Sequence, residues 1–271
     1  MINALADFHS VFGLPDQGVR AVCTTRQAGS SQGIYQGLNL ATHVGDDSEV
    51  VMRNRERLTH QFDLPGDPLW LNQVHGAQIL EVDQTPLCER LDAEADGAIT
   101  AASNTVLAIL TADCLPILLS SYDGSRIAAV HAGWRGLLAG VIEAAVAGFQ
   151  GAPVCAWIGP GIGPCHFEVG PEFKALFPEP GLLLDRPGQQ DCLDLPQAAH
   201  RCLHRAGGNA IGAVRALHSL RGGYLLFLSQ GGCHGPICKF VVANAGLTSI
   251  AVIFNRGARF IDQDLLLHLG S

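Results

Sequence analysis

A chain of 271 residues has room for one large domain or two small ones, and 48% hydrophobic content supplies a substantial core. The net charge of -8 disfavours non-specific binding to nucleic acid or to an anionic membrane. No apolar stretch reaches the ~18 residues of a spanning helix, and the start, Met1-Ile2-Asn3-Ala4-Leu5-Ala6-Asp7, lacks the basic end and apolar run of a signal peptide, so a cytoplasmic protein is expected.

No internal repeat or low-complexity linker interrupts the sequence, which predicts a single domain over 1–271. Ser48 is placed to cap a helix over 48–62, with Val51, Leu58 and Phe62 on one face. Residues 69–74 and 77–82 read as strands around Gly76. The β-rich runs 105–110 and 117–119 flank Asp113-Cys114. A strand over 126–130 leads to a helix over 136–149, and a strand over 154–158 leads into a loop of glycine and proline. Another helix is expected over 195–206, with Asp194 as its cap, Pro196 in its first turn and Gly207 at its stop. Strands and helices mix without strict alternation, which points to α+β rather than a doubly wound sheet.

Three segments end apolar runs with a metal-binding side chain. They are Leu71-Asn72-Gln73-Val74-His75-Gly76, Thr111-Ala112-Asp113-Cys114-Leu115-Pro116 and Ala129-Val130-His131-Ala132-Gly133-Trp134-Arg135-Gly136. A lone His or Cys beside such a run is usually core. Here Asp113, Trp134 and Arg135 are costly to bury without purpose. Two imidazoles and one thiolate leave a tetrahedral ion one open position, as catalytic zinc requires. The nine cysteines contain no CxxC pair, and the rest read as reduced, mostly buried thiols. Gly159-Pro160-Gly161-Ile162-Gly163-Pro164 lacks Walker spacing and a following Lys-Ser/Thr, so it reads as a rigid pocket wall. Cys165 and His166 are further metal-ligand candidates, but on a strand they would face opposite ways. Glu168 either lines the site or is a solvated carboxylate.

The same segments carry a resemblance. With Thr25-Arg26, Gly37-Leu38-Asn39-Leu40, His43-Val44-Gly45-Asp46-Asp47 and Ile158-Gly159-Pro160-Gly161-Ile162-Gly163, the chain resembles the YfiH/YlmD family over about 20–206. That family was once called multicopper polyphenol oxidases and is now mostly regarded as zinc-dependent purine nucleoside enzymes. The resemblance implies a layered α/β/β/α sandwich of mixed sheets. It implies Zn2+ (alternatively Cu2+) held by His75, Cys114 and His131, a nucleoside and phosphate as small-molecule partners, and a monomer or homodimer. Arg26 and Arg135 are then candidates for anion contacts, and Asp113 or Glu168 for acid or base. Asn39 and His43 become neutral hydrogen-bond partners for sugar or base; in the bland reading Asn39 only holds a turn and Asp46-Asp47 only precede the helix.

Three chemistries suit these residues. A zinc centre can serve phosphorolysis of adenosine, inosine or methylthioadenosine at C1′, or activate water for deamination of adenosine. A copper polyphenol oxidase would use the same three ligands, usually with an axial Met. Only Met1 and Met52 are available, and no His-x-His pair marks a laccase-type copper cluster. A metal-free cysteine hydrolase would use Cys114 as nucleophile with His75 or His131 as base. A non-enzymatic binding module would leave the three residues without a shared purpose.

The C-terminal part departs from the family pattern. Among 25 acidic residues, none lies between Asp194 and Asp262. The family's Cys-Thr, Phe-Phe-Ser-Tyr-Arg-Arg-type and Thr-Gly-Arg segments are absent in frame. Degenerate codons for 215–242, read from their second base, are compatible with all three in order, and Leu225-Leu226-Phe227-Leu228-Ser229-Gln230 becomes Phe-Phe-Ser-Tyr-Arg-Lys. A shifted reading frame beginning between Gly207 and Arg215 is therefore expected, with poor packing beyond it. Genuine buried strands at 224–228 and 249–254 are the alternative.

Overall fold

The computed structural model describes residues 6–7, 16–24, 26–90, 93–207, 211–219, 225–227 and 249–255. The strands are β1 (Ala6–Asp7), β2 (Val19–Cys23), β3 (Ile79–Glu81), β4 (Gly97–Thr100), β5 (Val106–Thr111), β6 (Leu115–Ser121), β7 (Ile127–Ala132), β8 (Val154–Ile158), β9 (Leu183–Leu184), β10 (Cys192–Leu193), β11 (Ile211–Ser219), β12 (Leu225–Phe227) and β13 (Ser249–Asn255). The helices are α1 (Ser48–Gln61), α2 (Leu87–Arg90), α3 (Trp134–Ala139), α4 (Val141–Ala147), α5 (Phe173–Leu176) and α6 (Leu195–Gly207). A seven-stranded sheet runs β12-β11-β8-β6-β7-β4-β3, and a four-stranded sheet runs β1-β2-β13-β5. The large sheet is mixed, with β3/β4 and β8/β11 parallel and its other pairs antiparallel.

Strand alternation sorts the apolar side chains into three buried layers. Leu115, Ile117 and Leu119 of β6 and Ala128, Val130 and Ala132 of β7 pack with Val141, Ile142, Ala145, Ala199 and Leu203 of the helices α4 and α6. The opposite parity, Leu118, Ile127 and Ala129, meets Leu107, Ile109, Ala251 and Ile253 of the small sheet. The far face of that sheet, Val22, Val106, Ala108 and Val252, packs on Leu58 of α1 and on Phe62 just beyond it. The order is therefore α/β/β/α, as the resemblance implied. Among the described residues no helix is long and apolar enough to cross a membrane.

Several local expectations change. The cap of α1 is Asp47, whose Oδ1 accepts from the amides of Glu49 (2.8 Å) and Val50 (3.3 Å), so Ser48 is the first helical residue. The helix expected over 136–149 is two helices, because Gly140 takes φ 87° between α3 and α4. Residues 69–74 make only isolated bridges, Leu69 to Leu107 and Asn72 to Glu94. There the Gln73 side chain takes the place of a strand partner: its Nε2 donates to the Leu110 carbonyl at 2.8 Å and its Oε1 accepts from the Leu110 amide at 2.9 Å. Cys165 and His166 sit in a turn rather than on a strand.

Beyond Gly207, β11 pairs with β8, and β13 lies between β2 and β5. Ala251, Val252 and Ile253 are fully buried. Poor packing is thus not what residues 251–253 show. A run of apolar and β-branched residues satisfies a slot buried on both faces. Most of the shifted-frame segment, 208–210, 220–224, 228–248 and 256–271, lies outside the described residues.

Candidate metal centre

Strand register brings two of the three predicted ligands together. In the antiparallel pair β6/β7, Leu115 faces Ala132 and Pro116 faces His131. Cys114, one residue before β6, shares its parity with Pro116 and so lies diagonal to His131 on one sheet face. The third ligand, His75, comes from the turn before β3, where its backbone has φ 61°. One ligand atom from each of His75, Cys114 and His131 lies within 4.8 Å of the others. The two imidazoles meet edge to face, 4.7 Å between centroids and 83° between planes. His131 is buried, Cys114 half-buried and His75 exposed, so the cluster opens to solvent on the His75 side.

Asp96, in the turn residue before β4, organises the cluster and was not singled out by sequence. It is fully buried. Its Oδ1 lies 2.8 Å from His131 Nδ1 and accepts from the His75 amide at 2.8 Å. Its Oδ2 accepts from the amides of Gly76 (2.6 Å) and Val74 (3.2 Å). The backbone adds a further tie, since the His131 amide donates to the Asp96 carbonyl at 2.7 Å. One carboxylate therefore holds the His75 turn and the His131 ring. Burial alone would raise its pKa, but the His131 contact and the Gly76 and His75 amides hold it below the usual carboxylate range.

The two histidines are shifted in opposite directions. Burial lowers the His75 pKa, and His131 and Arg135 lower it further against the pull of Asp96. Burial also opposes protonation of His131, but Asp96 and Cys114 push its pKa up to about 9. An ion binding at His131 therefore competes with a proton, and binding releases it.

The residues fit a transition ion. Two imidazoles and a thiol are borderline-to-soft donors. The second nitrogen of His131 is held by a carboxylate, the arrangement that orients ligating histidines. Gly133 keeps space between the donors: a Cβ there would stand 2.8 Å from Cys114 Sγ and 3.3 Å from His75 Cδ2. The glycine–proline loop lies against the same strand start. The Ile162 amide donates to the Asp113 carbonyl at 2.7 Å, and the Gly159 amide to the Pro116 carbonyl at 2.8 Å. A Cβ at Gly161 would stand 2.8 Å from the Asp113 carbonyl oxygen, so only glycine allows this approach. That is the geometry of a wall.

The remaining predicted residues divide. Asp113 is exposed beside Cys114, and Arg135 is exposed with its guanidinium 4.4 Å from the Trp134 ring centroid. The charge of Arg135 is felt at His75. Arg26 and His43 have exposed side chains, and the Arg26 carbonyl accepts from the Leu38 amide at 2.6 Å. Asn39 is buried and holds a turn: its Oδ1 accepts from the Ala41 amide at 3.1 Å, and its Nδ2 donates to Asp46 Oδ2 at 2.9 Å. Glu168 pairs with Arg186 at 3.1 Å beside its bridge to Cys192. Among the described residues Cys165 and His166 do not join the cluster.

Fold and cluster together define a four-layer α/β/β/α protein with a three-donor, transition-metal-type site at its strand ends. The chain belongs to the family described as multi-copper polyphenol oxidoreductase laccase, whose model matches residues 20–215. It is 41% identical over 230 residues to a purine nucleoside phosphorylase of Xylella fastidiosa, covering 80% of this chain and 85% of that protein. It is 44% identical over 163 residues to the purine nucleoside phosphorylase YfiH of Escherichia coli, covering 59% of this chain and 66% of that protein. The match thus spans about two thirds of the YfiH proteins of Shigella flexneri and E. coli. Among solved structures, a Neisseria meningitidis protein superposes with a TM-score of 0.74 at 31% identity, covering 95% of this chain and 100% of that one. YlmD from Geobacillus stearothermophilus superposes at 0.69 and 28% identity, covering 88% of this chain and 92% of that one.

Proposed function

We propose that the chain is a zinc-dependent purine nucleoside enzyme. Its reactions are phosphorolysis of adenosine, inosine or methylthioadenosine, and deamination of adenosine. The observation that carries this is the convergence of His75, Cys114 and His131 within 4.8 Å around one open side. The relatives named purine nucleoside phosphorylases supply the substrate class. These three residues would hold the ion, and Asp96 would fix the His131 tautomer. When bound, the ion supplies a Lewis acid at the open side.

The chain's own residues do the rest. Arg135, at the start of α3, offers a cation beside His75 for phosphate, and Arg26 is the second candidate. Asp113 is the carboxyl next to Cys114 that can give a proton to the leaving base. Glu168 is the other acid–base candidate, although its ion pair with Arg186 must open first. His43 remains a substrate contact in this reading. Asn39 acts on substrate only indirectly, by shaping the loop it holds.

Metal analysis comes first, then incubation of this chain, and of a form carrying an intact family C-terminus in which turnover is expected, with adenosine and with inosine, with and without phosphate. Free base and ribose 1-phosphate appearing only with phosphate mark phosphorolysis, and ammonia from adenosine marks deamination. Phenol oxidation by a copper-loaded chain that releases neither base nor ammonia would overturn this in favour of the oxidase. Asp96, His131 and Cys114 also form the orienter, base and nucleophile of a cysteine hydrolase. That second reading leaves His75 without a task. It predicts activity in protein stripped of metal.

A further inference from the structure

Helix α6 carries another pair of imidazoles, remote in sequence from the centre. His200 and His204 stand four residues apart and leave the same helical face. Their Nε2 atoms face each other at 3.3 Å, with ring centroids 4.5 Å apart. His204 is exposed and His200 half-buried. The neighbouring guanidinium groups turn away. Arg201 reaches Glu179 at 3.2 Å and the Pro180 carbonyl at 2.8 Å, and Arg205 pairs with Glu179. Burial first, then His204 and Arg201, lower the His200 pKa and favour the neutral ring that a metal needs.

The separation is that of a chelate. Two nitrogens each ~2.0–2.1 Å from one ion, and 3.3 Å from each other, subtend about 107° at it, close to tetrahedral. Histidines at i and i+4 on one helical face are also the spacing on which helical zinc sites are built.

We propose that His200 and His204 form a second site, for a divalent first-row transition ion, with solvent completing the coordination. By the order of divalent affinities, Cu2+ binds it more tightly than Zn2+. Among the described residues no third His, Cys, Asp or Glu joins the pair, so the ion is exchangeable. Copper recovered with this chain then does not by itself report occupancy of the His75, Cys114 and His131 cluster. The competing account is a hydrogen bond between two neutral rings, one Nε2–H donating to the other Nε2.

Equilibrium dialysis of the metal-free full chain against Cu2+, and separately Zn2+, decides between them. His200→Ala and His204→Ala are each expected to bind one Cu2+ fewer than the parent, or to bind it about 10²-fold more weakly. Cys114→Ala should keep that ion, so failure at one site stays distinguishable from failure at the other. Superimposable isotherms for the parent and His204→Ala would overturn the proposal. His204 is exposed, so its variant carries the test even if His200→Ala fails to fold.

Discussion

At the scale of single residues, Asp96 carries the most consequence. Its two oxygens serve three backbone amides and one imidazole, in a position with no solvent to substitute. Asp96→Asn keeps the volume but removes the charge and turns an amide N–H2 toward one set of donors. Metal affinity is expected to fall about 10–100-fold, as when other partners of ligating histidines are removed. A competitive titration with a chromogenic chelator measures this. Unchanged affinity would show that Asp96 serves the turn at Val74-His75-Gly76 alone.

A second effect at the residue scale is acid sensitivity. Asp83 accepts from the Ala101 amide at 2.6 Å and from the Thr100 hydroxyl at 2.5 Å, which ties the turn after β3 to the end of β4. Partial burial raises its pKa, but Thr100, the amides of Ala101 and Ala102, and Arg126 outweigh that and lower it. A depressed carboxylate stabilises the fold above its unfolded pKa, and the stabilisation is lost as pH falls through the folded one. The Tm difference between the parent and Asp83→Asn should therefore shrink as pH drops from 5 toward 3. A constant difference would contradict the linkage.

At the scale of elements, helix ends decide what periodicity cannot. Asp47 caps α1 with its side chain, so Asp47→Ala should cost about 1 kcal/mol in urea unfolding, whereas Ser48→Ala should cost a few tenths at most. Equal effects at both positions would place the cap at Ser48 after all. Gly140 performs the other kind of ending. Its left-handed conformation lets α4 start in a new direction immediately after α3. That break allows Val141, Ile142 and Ala145 to reach the large sheet while Trp134 packs at the edge of the same cluster against Phe173.

At the scale of the whole molecule, β13 closes the fold. It is the central partner of β2 and β5, and its residues 251–253 contribute to both layers that the small sheet bounds. The family match ends at residue 215, the far edge of the window where the reading frame is proposed to shift. We infer that the chain beyond that window is not the family's own sequence, even where it supplies a strand. Sequencing the gene should show a one-base insertion or deletion near codons 207–215 relative to a close homologue. The chain as it stands should bind metal through His75, Cys114 and His131 yet turn nucleosides over weakly. Restoring the frame should restore turnover. Full activity from the present chain would show that the lost aromatic–arginine segment is not needed for chemistry.

The sequence alone determined many of the elements and the candidate ligand types. His75, Cys114 and His131 stand out because a polar donor at the end of an apolar run is costly to bury, and local patterning records that cost. The strands at 106–111, 115–121 and 154–158 and the helices at 48–61 and 195–207 were legible for the same reason. Tertiary structure decided what depends on partners far apart in the chain. Asp96 lies 35 residues from His131 and 21 from His75, and no spacing rule links an aspartate between Ala95 and Gly97 to either. Asp46 as the partner of Asn39, and Arg186 as the partner of Glu168, are likewise contacts that no local pattern records. The slot that β13 fills was illegible because a two-faced buried strand asks only for apolar bulk, and many sequences meet that demand. Hydrogen-bond partners and layer order come from sheet pairing, which is non-local, whereas periodicity, capping and the cost of burial are local.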